Sequence, residues 1–141
     1  MTARRAPQIG DLFVVHRPAP GESLYGRVIS TTAIVGPTHG CHLVYVYGPG
    51  PVRSRDRLLL PPMMTTRAPW SRQYFELVGS EPLLPGHFFE CHGFRDTAGR
   101  LFDEESRPIG AVEGPVGQWK VFERVEEIEA ELARAQRHVT A

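Results

Sequence analysis

Two short stretches set a thiol beside imidazoles: His39-Gly-Cys41-His42 and His87-Phe-Phe-Glu-Cys91-His92. Zinc takes thiolate and imidazole ligands in a tetrahedron, and two Cys with two His would complete one. The spacing speaks against it. There is no Cys-x-x-Cys and no His-x-x-x-His. Neighbours on a strand point to opposite faces, so neither Cys41 with His42 nor Cys91 with His92 grips one ion. The same divergence counts against a thiol–imidazole dyad, whose members must converge within hydrogen-bond reach. A cross-strand pairing of Cys41 with His92 is the arrangement left open. Gly48-Pro-Gly-Pro51 holds glycines, but its prolines remove the N–H donors that a phosphate cradle needs. We expect no catalytic residue, no cofactor and no metal.

What remains is surface chemistry. Asp103-Glu104-Glu105 gathers three acids in a stretch, 96–117, that reads as an exposed loop with at most a short hairpin. Pro69-Trp70-Ser-Arg72-Gln-Tyr74-Phe75 is dense in aromatic and arginine residues, the types that dominate interface hot spots. Phe75 and Trp119 are expected in the core. Trp70, Arg72, Asp103, Glu104 and Glu105 are the candidate partner contacts. Arg53, Arg55 and Arg57 alternate, which would place them on one face of a strand. Such a stripe would meet an acidic partner or RNA, or simply protect a solvated edge strand.

These groups must be positioned by short strands. Asp11–His16, Tyr25–Val35, Cys41–Tyr47, Arg57–Leu60, Gln73–Val78, His87–Cys91 and Gly117–Phe122 are β-rich runs bounded by Gly or Pro. In the third run Leu43, Tyr45 and Tyr47 share one face, and His42, Val44 and Val46 the other. Only 123–138 reads as a helix. Val125, Ile128, Leu132, Ala135 and Val139 form one stripe, with glutamates early and Arg134, Arg137 and His138 late, complementing the dipole. No internal repeat or low-complexity tract is visible. The expected fold is α+β and β-dominant: a strongly bent antiparallel sheet or small β-barrel with one C-terminal helix capping its open side. Residues 1–141 make one domain, with 1–7 a disordered tail.

Composition narrows the function classes. Sixteen basic residues balance sixteen acidic ones. A protein of bulk nucleic acid or anionic membrane carries a basic excess, so direct binding to either is not expected. Lys120 is the only lysine; the remaining cations are arginine, as a GC-rich genome would encode. No apolar run reaches the ~18 residues that span a membrane. The start lacks the apolar stretch of a secretory signal. Two cysteines in such a chain read as reduced thiols in the cytoplasm.

The ordered segments resemble a known family. Gln8-Ile-Gly-Asp-Leu-Phe-Val14, Leu24-Tyr-Gly-Arg-Val-Ile29 and Val44-Tyr-Val-Tyr47 are similar to the opening of bacterial immunity proteins of the immunity protein twenty-six type. These are encoded beside polymorphic or contact-dependent toxins. Leu59-Leu-Pro-Pro-Met63, Pro69-Trp70, Tyr74-Phe75, Cys91-His-Gly-Phe94 with Asp96, and Asp103-Glu104-Glu105 continue the likeness in the same order, over roughly residues 8 to 125. The resemblance implies a cytoplasmic, non-enzymatic protein that binds and blocks one cognate toxin domain. A second likeness runs through Gly10-Asp11, Gly21-Glu22 and Gly26-Arg27-Val28. It resembles small-barrel endoribonuclease toxins of the plasmid-maintenance type, which carry proline after that arginine. It implies Arg27 stabilising a phosphate and Glu22 assisting. A third class, a barrel stacking nucleic-acid bases on aromatics, fits the neutral charge poorly.

Overall fold

The computed structural model describes residues 6–16, 23–49 and 54–140, with side chains in the last helix as far as residue 136. Its strands are β1 (Asp11–Val15), β2 (Leu24–Val35), β3 (Thr38–Val46), β4 (Met63–Thr65), β5 (Phe75–Ser80), β6 (Gly93–Arg95), β7 (Leu101–Phe102), β8 (Val116–Gln118) and β9 (Val121–Phe122). Six of them form one sheet in the order β5-β1-β2-β3-β4-β9; the other three form a second sheet, β7-β6-β8. A short helix, α1 (Ala68–Ser71), precedes β5, and α2 (Val125–Thr140) closes the chain.

The alternation in β3 explains the layering. Val44 and Val46 join Phe13, Val28, Phe75 and the α2 residues Ile128 and Leu132 in one core. Leu43, Tyr45 and Tyr47 turn to the opposite face and pack with Ile29, Val35, Met64 and Phe94 of the second sheet. The large sheet is therefore buried on both faces, which is why β3 is apolar on both of its own. Full burial of Ile128 and Leu132 each contributes about 1.5–3 kcal/mol. Tight spots select glycine. Gly26 lies opposite Phe13 in register, and a Cβ there would sit 2.3 Å from the Phe13 ring.

The fold is β-dominant with a single long helix at the C-terminus, as the periodicities predict. The large sheet is not purely antiparallel: β4 pairs with β9 in parallel, as β6 does with β8. The physical reason is that the second sheet is inserted between β4 and β9, giving the long crossover that parallel pairing requires. Nor is it a closed barrel, since edge strands β5 and β9 do not meet. The ladder is irregular in two places: the pairing of β2 with β3 slips repeatedly between Val28 and Val35, and that of β1 with β5 slips once, between Leu12 and Phe13.

Three expected strands differ. Arg55 and Arg57 lie on a 3-10 turn begun by Ser54, whose side chain accepts from Asp56 N, so they do not alternate along a strand. Leu58 keeps only an isolated bridge to Tyr47. His87–Cys91 is turn and bend. Gly117–Phe122 is split by a tight turn, Lys120 N to Gln118 O at 2.9 Å, which hands the chain from one sheet to the other. Several expectations fall outside the described residues: the tail over 1–5, Gly21, Glu22, Pro51, Arg53, and the side chains of Arg137, His138 and Val139. Pro7, assigned to that tail, is buried. Among the described residues no helix is long and apolar enough to cross a membrane.

Candidate functional site

The acidic stretch forms the second of two matching turns that flank β7. In the first, Asp96 N donates to Arg100 O (3.0 Å) and Gly99 N to Asp96 O (3.1 Å). Ala98 N and Arg100 N both donate to Asp96 Oδ1, at 3.0 and 2.8 Å. The set recurs from Asp103. Asp103 N reaches Arg107 O (2.9 Å), Ser106 N reaches Asp103 O (3.0 Å), and Glu105 N and Arg107 N converge on Asp103 Oδ1. Each turn has a left-handed residue before its arginine: Gly99 at φ 88° and Ser106 at φ 62°. Asp-x-x-Gly-Arg followed by Asp-x-x-Ser-Arg is thus a small structural repeat that the sequence reading passed over. Aspartate at the head, bonding its own backbone two and four residues on, was the available signal.

The second turn is fastened to the large sheet through the Ser106 hydroxyl and the Glu104 carbonyl. Ser106 Oγ donates to Ile34 O (2.7 Å) and accepts from Gly36 N and Trp119 Nε1, both at 3.0 Å. Ile34 N donates to Glu104 O at 2.8 Å. The bent end of the β2–β3 hairpin therefore holds the turn from behind.

A buried polar chain braces the same segment. Tyr45 Oη accepts from Phe89 N (3.0 Å) and lies 2.6 Å from His92 Nε2, to which it donates its proton. That assignment leaves the ring neutral with its proton on His92 Nδ1, facing Glu104 Oε2 at 3.6 Å, a polar contact longer than a hydrogen bond. Glu104 also accepts from His92 N at 3.0 Å. Burial pushes the Tyr45 hydroxyl up to about 12. Burial alone would raise the Glu104 carboxyl, but the nearby His92 ring and the backbone N–H groups of Glu104 and His92 together outweigh it and hold it below the usual glutamate range. A tyrosine–histidine–glutamate chain has the parts of an acid–base relay. Here Tyr45 is fully buried and His92 is 4% exposed, so the chain serves to hold the second sheet on the first.

The candidate contacts separate accordingly. Asp103 and Glu104 are spent on the turn and the brace. Glu105 is half exposed and pairs with the outward Arg107 at 2.8 Å. Trp70, read from sequence as a surface aromatic, is buried, with its ring 5.6 Å from Phe13 and 5.2 Å from Phe75. It enters the core because α1 lays it over the sheet face that α2 also covers. Arg72, at the end of α1, is exposed. The acids of α2 are largely engaged as well: Glu127 with Lys120, Glu129 with Tyr74, Glu131 with Gln118.

The thiol–imidazole groups are dispersed. Cys41 is buried with its Sγ toward Thr38 O, and burial raises its thiol. His42 faces the other core, its ring 5.2 Å from Trp70. Burial first, and the Arg67 charge second, lower its imidazole. Cys91 is exposed; its partial desolvation and the Glu104 and Asp103 carboxylates raise its thiol, which blunts nucleophilicity. The open pairing of Cys41 with His92 is not formed, since each has the other partners described. Among the described residues no three His, Cys, Asp or Glu side chains gather as metal ligands. Arg27 is buried, its guanidinium held by Glu81 (2.9 Å) and the His87 ring (3.2 Å). Comparison with protein-family models, curated proteins and solved structures gives no match to this chain.

Proposed function

We propose that this chain is an immunity protein that works in the bacterial cytoplasm by binding a cognate toxin domain and covering its surface. The observation that carries it is the turn at 103–107, locked by Asp103 and Ser106 and presenting Glu105 and Arg107 outward. A loop already held in one conformation loses little entropy on docking, so more of its contact energy appears as affinity. The ordered likeness to immunity proteins supports the same reading. A standard interface of about 800 Å² on each side would extend well past this turn.

The test starts from the gene immediately upstream, which on this reading encodes the toxin. Co-expression with this chain should restore growth, and the two purified proteins should form a stable complex. Reversing the outward pair, Glu105→Arg with Arg107→Glu, should slow association while leaving the fold intact. Replacing Asp103 or Glu104 would damage the turn itself and so cannot serve as an interface probe. Unchanged association would remove this turn from the interface. Cleavage of single-stranded RNA by the purified chain, lost in Arg27→Ala, would overturn the immunity reading in favour of an endoribonuclease.

A further inference from the structure

A groove of about 410 Å³ lies where the two sheets and α2 meet, a volume in the range of ligand sites. The Leu60–Met63 segment, Val116 and Phe122 supply its apolar surface; Arg95, Asp96 and Glu131 supply its charge. Arg95 and Gln118 are paired in register, on the face of the second sheet opposite to Phe94.

The charges do not balance each other. Asp96 is neutralised by its own Arg100, at 2.8 Å, and by two backbone N–H groups. Glu131 is neutralised by Arg134, at 3.4 Å, and accepts from Gln118. Arg95 is exposed, and its side chain makes one hydrogen bond, from Nη1 to Gly99 O, at 2.8 Å. It is the groove's cation with no carboxylate partner among the described residues. A guanidinium with donors to spare beside apolar walls suits a carboxylate bidentately. The strand β8 is moreover the edge of its sheet, and an edge can accept an extended segment.

We infer that this groove binds an extended peptide segment bearing one carboxylate. Arg95 pairs with that carboxylate, and an adjacent apolar side chain fills the space over Met63, Val116 and Phe122. The inference stands apart from the toxin reading, because its test needs no toxin.

The probes are the capped tripeptides Ac-Leu-Glu-Val-NH2 and Ac-Leu-Gln-Val-NH2, with sodium acetate as a third arm. Each is titrated into the isotopically labelled chain and followed through the Gly117 and Gln118 amides. The glutamate peptide should shift both amides and bind at least about tenfold more tightly than the glutamine peptide, the scale of one charge-assisted contact. Arg95→Gln, at an exposed position, should fold normally and abolish that difference. Equal binding of the two peptides overturns the inference. So do shifts confined elsewhere, no shift at all, acetate reproducing the full effect, or a preference that survives Arg95→Gln.

Discussion

Ser106 does two things that few residues combine. It sits at φ 62°, where a side chain with a Cβ is strained, and its hydroxyl joins three partners on β2, Gly36 and Trp119. Ser106→Ala keeps the strain and discards the bonds. We expect a loss of about 1–3 kcal/mol, the cost of leaving buried groups unsatisfied, read as a lower urea midpoint. Glu104 gives a second test at this scale. Its folded carboxyl lies below the ordinary value near 4.5. The stability it contributes is therefore complete above that value and is lost as pH falls through the lowered folded one. Between about pH 5 and pH 3 the wild type should lose stability more steeply than Glu104→Gln, whose side chain does not titrate. Parallel slopes in urea unfolding would show that the His92 contact does not discriminate between charge states. Neither role could be read from residue type: Asp103, Glu104 and Glu105 look alike in sequence, yet one caps, one braces and one faces out.

At the scale of elements, local pattern and tertiary contact divided the outcome. The strand β3 and the helix α2 follow their periodicities closely, because a stripe or an alternation is a property of consecutive residues. The expected strand at Gly117–Phe122 does not survive as one piece. Gly117 explains part of this. A Cβ there would lie 2.2 Å from Pro62 O and 3.0 Å from Phe94 Cδ1, so the second sheet approaches the first more closely than any side chain allows. Gly117→Ala must push the layers apart, and overpacking of this kind costs about 1–3 kcal/mol. Because the obstacle is backbone, little relaxation is available. A Gly117→Ala variant with an unshifted thermal midpoint would mean that the layers are looser than they stand here. The paired turns around β7 were partly legible: Asp-x-x-Gly is a turn signal, but Asp-x-x-Ser needs the Ser106 anchor to hold its left-handed residue.

The whole molecule is one large sheet with a different cover on each face, and its two tryptophans report on the two sides. Trp70 lies in the core with α2; Trp119 packs against the core under the second sheet. If the layers share one cooperative unit, Trp70→Phe and Trp119→Phe should each unfold with fluorescence and far-UV transitions that coincide within the variant. Separate transitions would divide the expected single domain in two. Leu132→Ala, at a fully buried site on α2, should cost about 2–5 kcal/mol and lower the midpoint seen by Trp119 as well as by Trp70, since the sheet between them belongs to both cores.

The sequence by itself determined the strands through Val46, the amphipathic helix, the β-dominant class and the balanced charge, all of which depend on composition or on spacing along the chain. The tertiary structure decided which of these groups face solvent. It buried Trp70, turned Glu104 inward to His92, and left Arg95 as the groove's uncompensated cation among the described residues. The reason is physical: periodicity is set by neighbours in the chain, whereas burial, charge pairing and the availability of a side chain are set by residues far apart in sequence that the fold brings into contact.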